Sequence, residues 1–321
     1  MSSNMLKIAI IGAGGIGCYY GARLQSANHK VVYIARGEHL DALTSSGLTL
    51  THPDFTFKDN VTACSLSTFF EQYEPNDFDI YLLCVKANIT EEIAKELQPW
   101  LKRFQQTITI ISLQNGVDNE AILKKHLPDS FVVGGLAVRI GGHISEPGIV
   151  QAKGVAQLII GKWPHANEKS NSQLTAWSLI FQKAKIPTQI VSNIRFELWR
   201  KLLINNGVNP LSALTGLDTK KLTHHPRFGK IVYQLMKEVA QVSCVEHEVI
   251  STKDVDEMYK LIRTFEPIKT SMLVDYEKGR ALELDEICGA VLKRSQIINV
   301  SVPYTEVVYA LLEHELKKRV I

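Results

Sequence analysis

A chain of 321 residues, 45% hydrophobic and 21% charged, has the composition of an ordinary globular protein and a length that favours two domains. A net charge of +3 without a dense Lys/Arg block argues against a nucleic-acid binder; Lys124-Lys125 and Lys317-Lys318-Arg319 read as solvated helix faces. Cys18, Cys64, Cys84, Cys244 and Cys288 form no CxxC pair, and no His/Cys/acid cluster has ligand spacing, so neither disulfides nor a metal are expected. No run approaches the roughly 20 apolar residues of a membrane span, and no cleavable leader is evident, so a cytoplasmic protein is expected. Residues 1–4 are expected to fray.

In chain order, Leu6–Gly12 is a short β-branched run ending in Gly12-Ala13-Gly14-Gly15-Ile16-Gly17, and a helix over 18–27 follows. Between a buried strand and a helix, GxGxxG reads as a dinucleotide-binding turn. Gly12 allows the tight turn, Gly14 lets backbone N–H groups approach a pyrophosphate, and Gly17 lets helix and strand pack closely. The plainer reading is a glycine-rich βα turn without a ligand. The second strand, 30–35, ends in Ala35-Arg36-Gly37 where an NAD site usually carries an acid. Arg36 can pair with a 2′-phosphate, which favours NADP(H). Glu38 speaks for NAD by its spacing, although it lies beyond Gly37 and starts a helix over 38–45; Arg36 can also be read as a solvated loop residue.

Residues 47–61 alternate apolar and polar, which predicts a small antiparallel excursion. A buried strand over 79–85 precedes Lys86, and one over 107–112 precedes Asn115-Gly116, with a helix over 91–103 between them. Ligands in open α/β sheets bind beyond the carboxyl ends of strands, which makes Lys86 and Asn115 candidates for contact with cofactor or substrate. Their plain readings are a helix-start lysine and a turn asparagine. A strand from Phe131, a pair of late strands within 139–161, a helix over 173–184 and a strand over 188–191 complete an α/β half, residues 1–192.

From residue 193 the pattern changes to a 3.6-residue period, predicting helices over 194–206, 226–246, 253–263, 285–298 and 304–319. The fold class is therefore α/β: a Rossmann-type doubly wound N-terminal domain, then an all-helical domain over 193–321. Pro226 fits the first turn of its helix, with His224 and His225 as capping or surface residues. On the first helix Lys201, Asn205 and Asn209 fall at i, i+4 and i+8, one row set among Leu198, Trp199, Leu202, Leu203, Ile204 and Val208. An amine and two carboxamides on an apolar helix suit a small, oxygen-rich ligand. Ser271 can offer a hydroxyl to a carboxylate. Glu283 and Asp285 precede a helix and are also explicable as N-terminal acids favoured by its dipole.

These motifs together resemble the ketopantoate reductase family (2-dehydropantoate 2-reductases) from about Lys7 to Val302. The pieces are Gly12–Gly17, Arg36-Gly37, Val85-Lys86-Ala87, Gln114-Asn115-Gly116, Glu146-Pro147-Gly148, Glu197-Leu-Trp-Arg-Lys201, Asn205, Asn209-Pro210, Ser271-Met-Leu and Glu283-Leu-Asp285. The resemblance implies NADPH-dependent reduction of a 2-keto acid in pantothenate biosynthesis, with Lys201 as general acid. It also implies that Asn205, Asn209 and Ser271 line the substrate site, that Asn115 and Lys86 touch cofactor or substrate, and that Glu283 bears on cofactor and lysine placement. Ile89, Ile268 and Val274 depart from the family pattern, so another branched 2-keto acid stands beside ketopantoate. A non-catalytic NADP(H) sensor is the third reading, opposed by the presence of Lys201 and Glu283. The expected partners are a small 2-keto acid and, as an option left open, a second copy of the chain; neither nucleic acid nor a membrane is expected.

Overall fold

The computed structural model describes residues 5–165 and 168–319; the expected fraying of residues 1–4 lies outside them. The elements of the first half are β1 (Lys7–Ile11), α1 (Gly15–Ser26), β2 (Lys30–Ile34), α2 (Gly37–Ser46), β3 (Leu48–His52), β4 (Phe55–Asp59), β5 (Thr62–Cys64), α3 (Leu66–Gln72), β6 (Ile80–Leu83), α4 (Thr90–Phe104), β7 (Thr109–Ser112), α5 (Asn119–His126), β8 (Phe131–Glu146), β9 (Ile149–Lys162), α6 (Glu168–Lys183) and β10 (Thr188–Ile190). Helices α7 (Ile194–Thr215), α8 (Thr219–His224), α9 (Phe228–Val242), α10 (Thr252–Arg263), α11 (Ser271–Glu277), α12 (Ala290–Ile298) and α13 (Pro303–Arg319) follow. Two compact units result. One holds the chain up to Gln114 together with Asn119–Ile194; the other holds Asn115–Asp118 and the chain from Arg195 onward.

The first unit is built on one sheet. Strands β5-β2-β1-β6-β7-β8 run parallel in that order, the doubly wound arrangement in which strand order reverses between β1 and β6. Their apolar runs are continuous because both faces are buried: Ile8, Ile10, Tyr33, Leu82, Ile111 and Val133 on one face, and Ala9, Ile11, Tyr81, Leu83, Ile110 and Val132 on the other. Beyond β8 the sheet becomes mixed. β8 and β9 form a long antiparallel hairpin, β3 adds parallel to β9, and β4 closes the edge antiparallel to β3.

In the second unit α9 buries Val232, Leu235, Met236, Val239 and Val242, a stripe at helical period. Gly207 on α7 lies so close to it that an added Cβ would stand 2.9 Å from Met236 Cγ. Asn206 Nδ2 donates to Leu235 O at 3.3 Å and to Thr305 Oγ1 at 3.2 Å, tying α7 to α9 and α13. Glu238, buried, accepts from the Tyr304 and Thr305 N–H groups and from Thr305 Oγ1. A carboxylate at the start of α13 satisfies orphan donors and complements the helix dipole.

Several element bounds differ from expectation, each for a local reason. The helix expected over 194–206 runs to Thr215, through Pro210, because its continuing buried face, Val208, Leu211 and Ala213, holds it in place. The helix expected from 226 starts at Phe228: the His225 ring accepts the Arg227 and Phe228 N–H groups, so Pro226 sits in the turn before it. That helix also tightens into a 3₁₀ turn at Ser243–Glu246. The helix expected over 285–298 opens as a π turn at Asp285–Gly289. The late strands expected within 139–161 are one hairpin starting at Phe131, with a register shift between Val138 and Ile140 that Arg139 accommodates at positive φ. Short β5, α3, α5, α8 and α11 carried too few periods to be legible.

Candidate active site

In the first unit the glycine turn leaves β1 and enters α1 beside the point where strand order reverses. Gly12 has φ +98, and a Cβ there would stand 2.7 Å from the Val85 backbone nitrogen. A Cβ on Gly17 would lie 2.3 Å from Gly12 O, and one on Gly15 would lie 2.2 Å from the Gly142 carbonyl carbon. Gly14 is different: a Cβ there meets nothing within 4 Å. Gly14 is also the N-cap of α1 and supplies no side-chain cap, so the first N–H groups of the helix are not capped by it. Tight backbone on three glycines and open space on the fourth fit a phosphate cradle, lined by the backbone of Ala13 and Ile16 as well.

Arg36 is the exposed N-cap of α2, directly past the end of β2, and Glu38 lies in that helix's first turn. The residues present thus fit a dinucleotide, with a cation rather than an acid at the strand end. Lys86, exposed, caps the 3₁₀ turn Ala87–Ile89 after β6. Beyond β7, Gln114 Nε2 donates to Thr90 Oγ1 at 2.7 Å, and Thr90 Oγ1 donates to Asn119 Oδ1 at 2.8 Å. This buried network fixes the strand end that leads into Asn115.

The second unit holds the remaining candidates. Asn115 Nδ2 donates to Glu283 Oε2 at 3.0 Å, and Asn205 Nδ2 donates to Asn115 Oδ1 at 3.4 Å. Residues 168 positions apart in sequence thereby meet in one chain of hydrogen bonds. Lys201, Asn205 and Asn209 share α7, as their spacing predicts; Asn209 is buried and the other two half-buried. Glu283 is buried and precedes the π turn, a feature that recurs at functional sites. Ser271 is exposed at the first position of α11, whose N-cap Thr270 accepts from Leu273 N–H. Ile268 and Val274 flank it in sequence.

Sequence reasoning passed over a buried ionic cluster in this unit. Arg294 Nη2 donates to Asp118 Oδ1 at 2.6 Å and to Glu246 Oε1 at 2.7 Å. Arg294 stands in sequence beside Lys293, Ser295 and Gln296, so nothing local set it apart as a buried cation. Among the described residues no group of His, Cys, Asp and Glu is placed to hold a metal ion, and no helix is long and apolar enough to cross a membrane.

Comparison with known proteins adds to this geometry. The family model for ketopantoate reductase PanE/ApbA matches residues 8–165, and that for its C-terminal part matches residues 193–315. A 2-dehydropantoate 2-reductase of Pyrococcus abyssi is 25% identical over 308 residues, covering 96% of this chain and 97% of its own. The PanE/ApbA family ketopantoate reductase of Ralstonia eutropha JMP134 superposes with a TM-score of 0.86 at 28% identity, over 98% of this chain and 100% of that one. A D-mandelate dehydrogenase, in complex with NADH and anilino(oxo)acetate, shares the fold with a TM-score of 0.87 at 22% identity, over 98% and 100% of the two chains. With both halves matched by models of one family, this chain belongs to the ketopantoate reductase family of oxidoreductases.

Proposed function

We propose that the protein is an NADPH-dependent 2-dehydropantoate 2-reductase that converts ketopantoate to pantoate. The observation that carries this reading is the Asn205–Asn115–Glu283 hydrogen-bond chain, anchored one helical turn from Lys201. In this reading residues 1–192 bind the dinucleotide, and residues 193–321 bind substrate and supply the proton. The backbone of Gly12, Ala13, Gly14, Gly15, Ile16 and Gly17 holds the pyrophosphate, Arg36 pairs with the 2′-phosphate, and Lys86, Asn115 and Glu283 bear on the rest of the cofactor.

A dinucleotide held by these residues would supply the hydride that the keto carbon takes up. Lys201 does the complementary work. Its ammonium stabilises the negative charge that builds on the keto oxygen and then gives that oxygen a proton, completing the hydroxyl. Asn205, Asn209 and Ser271 hold the carboxylate and hydroxyl of the substrate through uncharged donors. Glu283 orients Asn115 by accepting its Nδ2 hydrogen, which leaves the Asn115 carbonyl oxygen to Asn205. An amide held from both sides has one orientation.

The second reading is reduction of another branched 2-keto acid, favoured by the apolar Ile89, Ile268 and Val274, which depart from the polar residues often found in the family at these positions. Steady-state rates with ketopantoate and 2-ketoisovalerate, each with NADPH and NADH, separate the two. Faster turnover of ketopantoate with NADPH is expected. Preference for 2-ketoisovalerate overturns the substrate, and preference for NADH overturns the role of Arg36.

A further inference from the structure

Arg294 on α12 is a buried cation, its side chain 7% exposed. One nitrogen, Nη2, serves both Asp118 and Glu246, while Nη1 donates to Ala290 O at 3.2 Å. The guanidinium carbon stands 5.2 Å from the centroid of the Trp199 ring. Each partner sits on a different piece of the helical unit. Asp118 ends the segment Asn115–Asp118, which groups with the helical unit. Trp199 is on α7, two residues before Lys201. Glu246 closes the 3₁₀ turn after α9, and its carbonyl oxygen accepts from Arg195 Nη1 at 2.9 Å, again on α7.

A buried ion cluster is weak ground for stability, because desolvation offsets most of the Coulomb gain; fixing one arrangement of chain is its better-attested use. Here the acids keep some water, with side chains 37% and 32% exposed, while the arginine between them does not. The guanidinium also lies within cation–π range of the Trp199 ring, a face that arginine fills better than lysine. Asp118 is three residues from Asn115. Anchoring it to α12 fixes the end of the short segment that begins at Asn115.

We propose that Arg294 is a positioning residue for the reductase site: by holding Asp118 it keeps Asn115 where its amide donates to Glu283 and accepts from Asn205. This rests on the reading of Asn115, Asn205 and Glu283 as substrate-site residues. The tie to Glu246 is scaffolding that orients the same guanidinium from the other side.

Asp118→Asn and Glu246→Gln each remove one carboxylate charge from one arginine, so they form a matched pair. Both are expected to lower Tm to a similar degree. Only Asp118→Asn is expected to raise KM for the keto acid, about tenfold, with KM for the dinucleotide unchanged. Combined with Asn115→Ala it should add nothing to KM, since Asp118 acts on the substrate only through the Asn115 amide. Arg294→Lys should fall between wild type and Asp118→Asn. Amide hydrogen exchange at Gly116–Asp118 should accelerate in Asp118→Asn and stay slow in Glu246→Gln. That readout needs no substrate, so selective exchange in a protein that fails to reduce ketopantoate supports the clamp and overturns the substrate reading alone. Equal exchange and equal KM in the matched pair overturn the positioning role.

Discussion

Lys201→Ala removes the only proton donor the proposed mechanism uses, and kcat for ketopantoate reduction is expected to fall about 10²- to 10⁴-fold. Dinucleotide affinity, measured by fluorescence titration, should stay the same; a variant that keeps most of its rate sinks the general-acid role. Glu286 offers a separate test by pH. Burial pushes its carboxyl above the ordinary 4.5, with Asp285 and Glu283 adding to the shift, and Oε2 is buried without a hydrogen-bond partner. The folded protein therefore binds this proton more tightly than the unfolded chain. No penalty exists below 4.5, where both states are protonated, and the full penalty is present once pH exceeds the raised value. Glu286→Gln is expected to raise Tm by a few degrees at pH 7 and to bring no gain at pH 4, as followed by thermal unfolding. At this scale the sequence shows Lys201, Asn205 and Asn209 as positions of one helix, because i, i+4 spacing is local. That Asn115 donates to Glu283 was not legible, since no local rule links residues so far apart.

The glycine turn separates stability from binding. Gly14 has φ −81, so alanine is tolerated, and its Cβ would fill only open space. Gly14→Ala is expected to change stability by less than about 0.5 kcal/mol while weakening dinucleotide binding. Gly15→Ala instead drives a Cβ into the Gly142 backbone, and a loss of about 1–3 kcal/mol is expected. Urea denaturation and dinucleotide titration of the two variants check both parts; equal stability losses would contradict the geometry. Among the elements, β1, β2, β6 and β7 were legible as short, mostly apolar runs, and α4 as a strong 3.6-period helix. The π turn was not, because Asp285–Gly289 has the same composition as a regular helix start. Tyr309 Oη, far along the chain, donates to Asp285 in that turn at 2.6 Å.

At the scale of the whole molecule, a ligand held by the folded chain alone raises its stability by mass action. NADPH at a hundredfold excess over its Kd should add about 2.7 kcal/mol, read by calorimetry as a rise of the transition that belongs to the sheet-containing unit, and NADH at equal concentration should add less. No rise with either nucleotide would remove the cofactor reading. The sequence by itself determined the change from alternating strand–helix texture to continuous helices, and with it the α/β-then-helical order, because periodicity and glycine placement act over a few residues. Only the tertiary structure decided that Asn115–Asp118 packs with the helices, that Arg294 reaches Asp118, and that β8 and β9 extend the parallel sheet into a mixed one. Those features depend on which distant surfaces meet, and the strength of such a meeting is set by burial and shape, not by the neighbours along the chain.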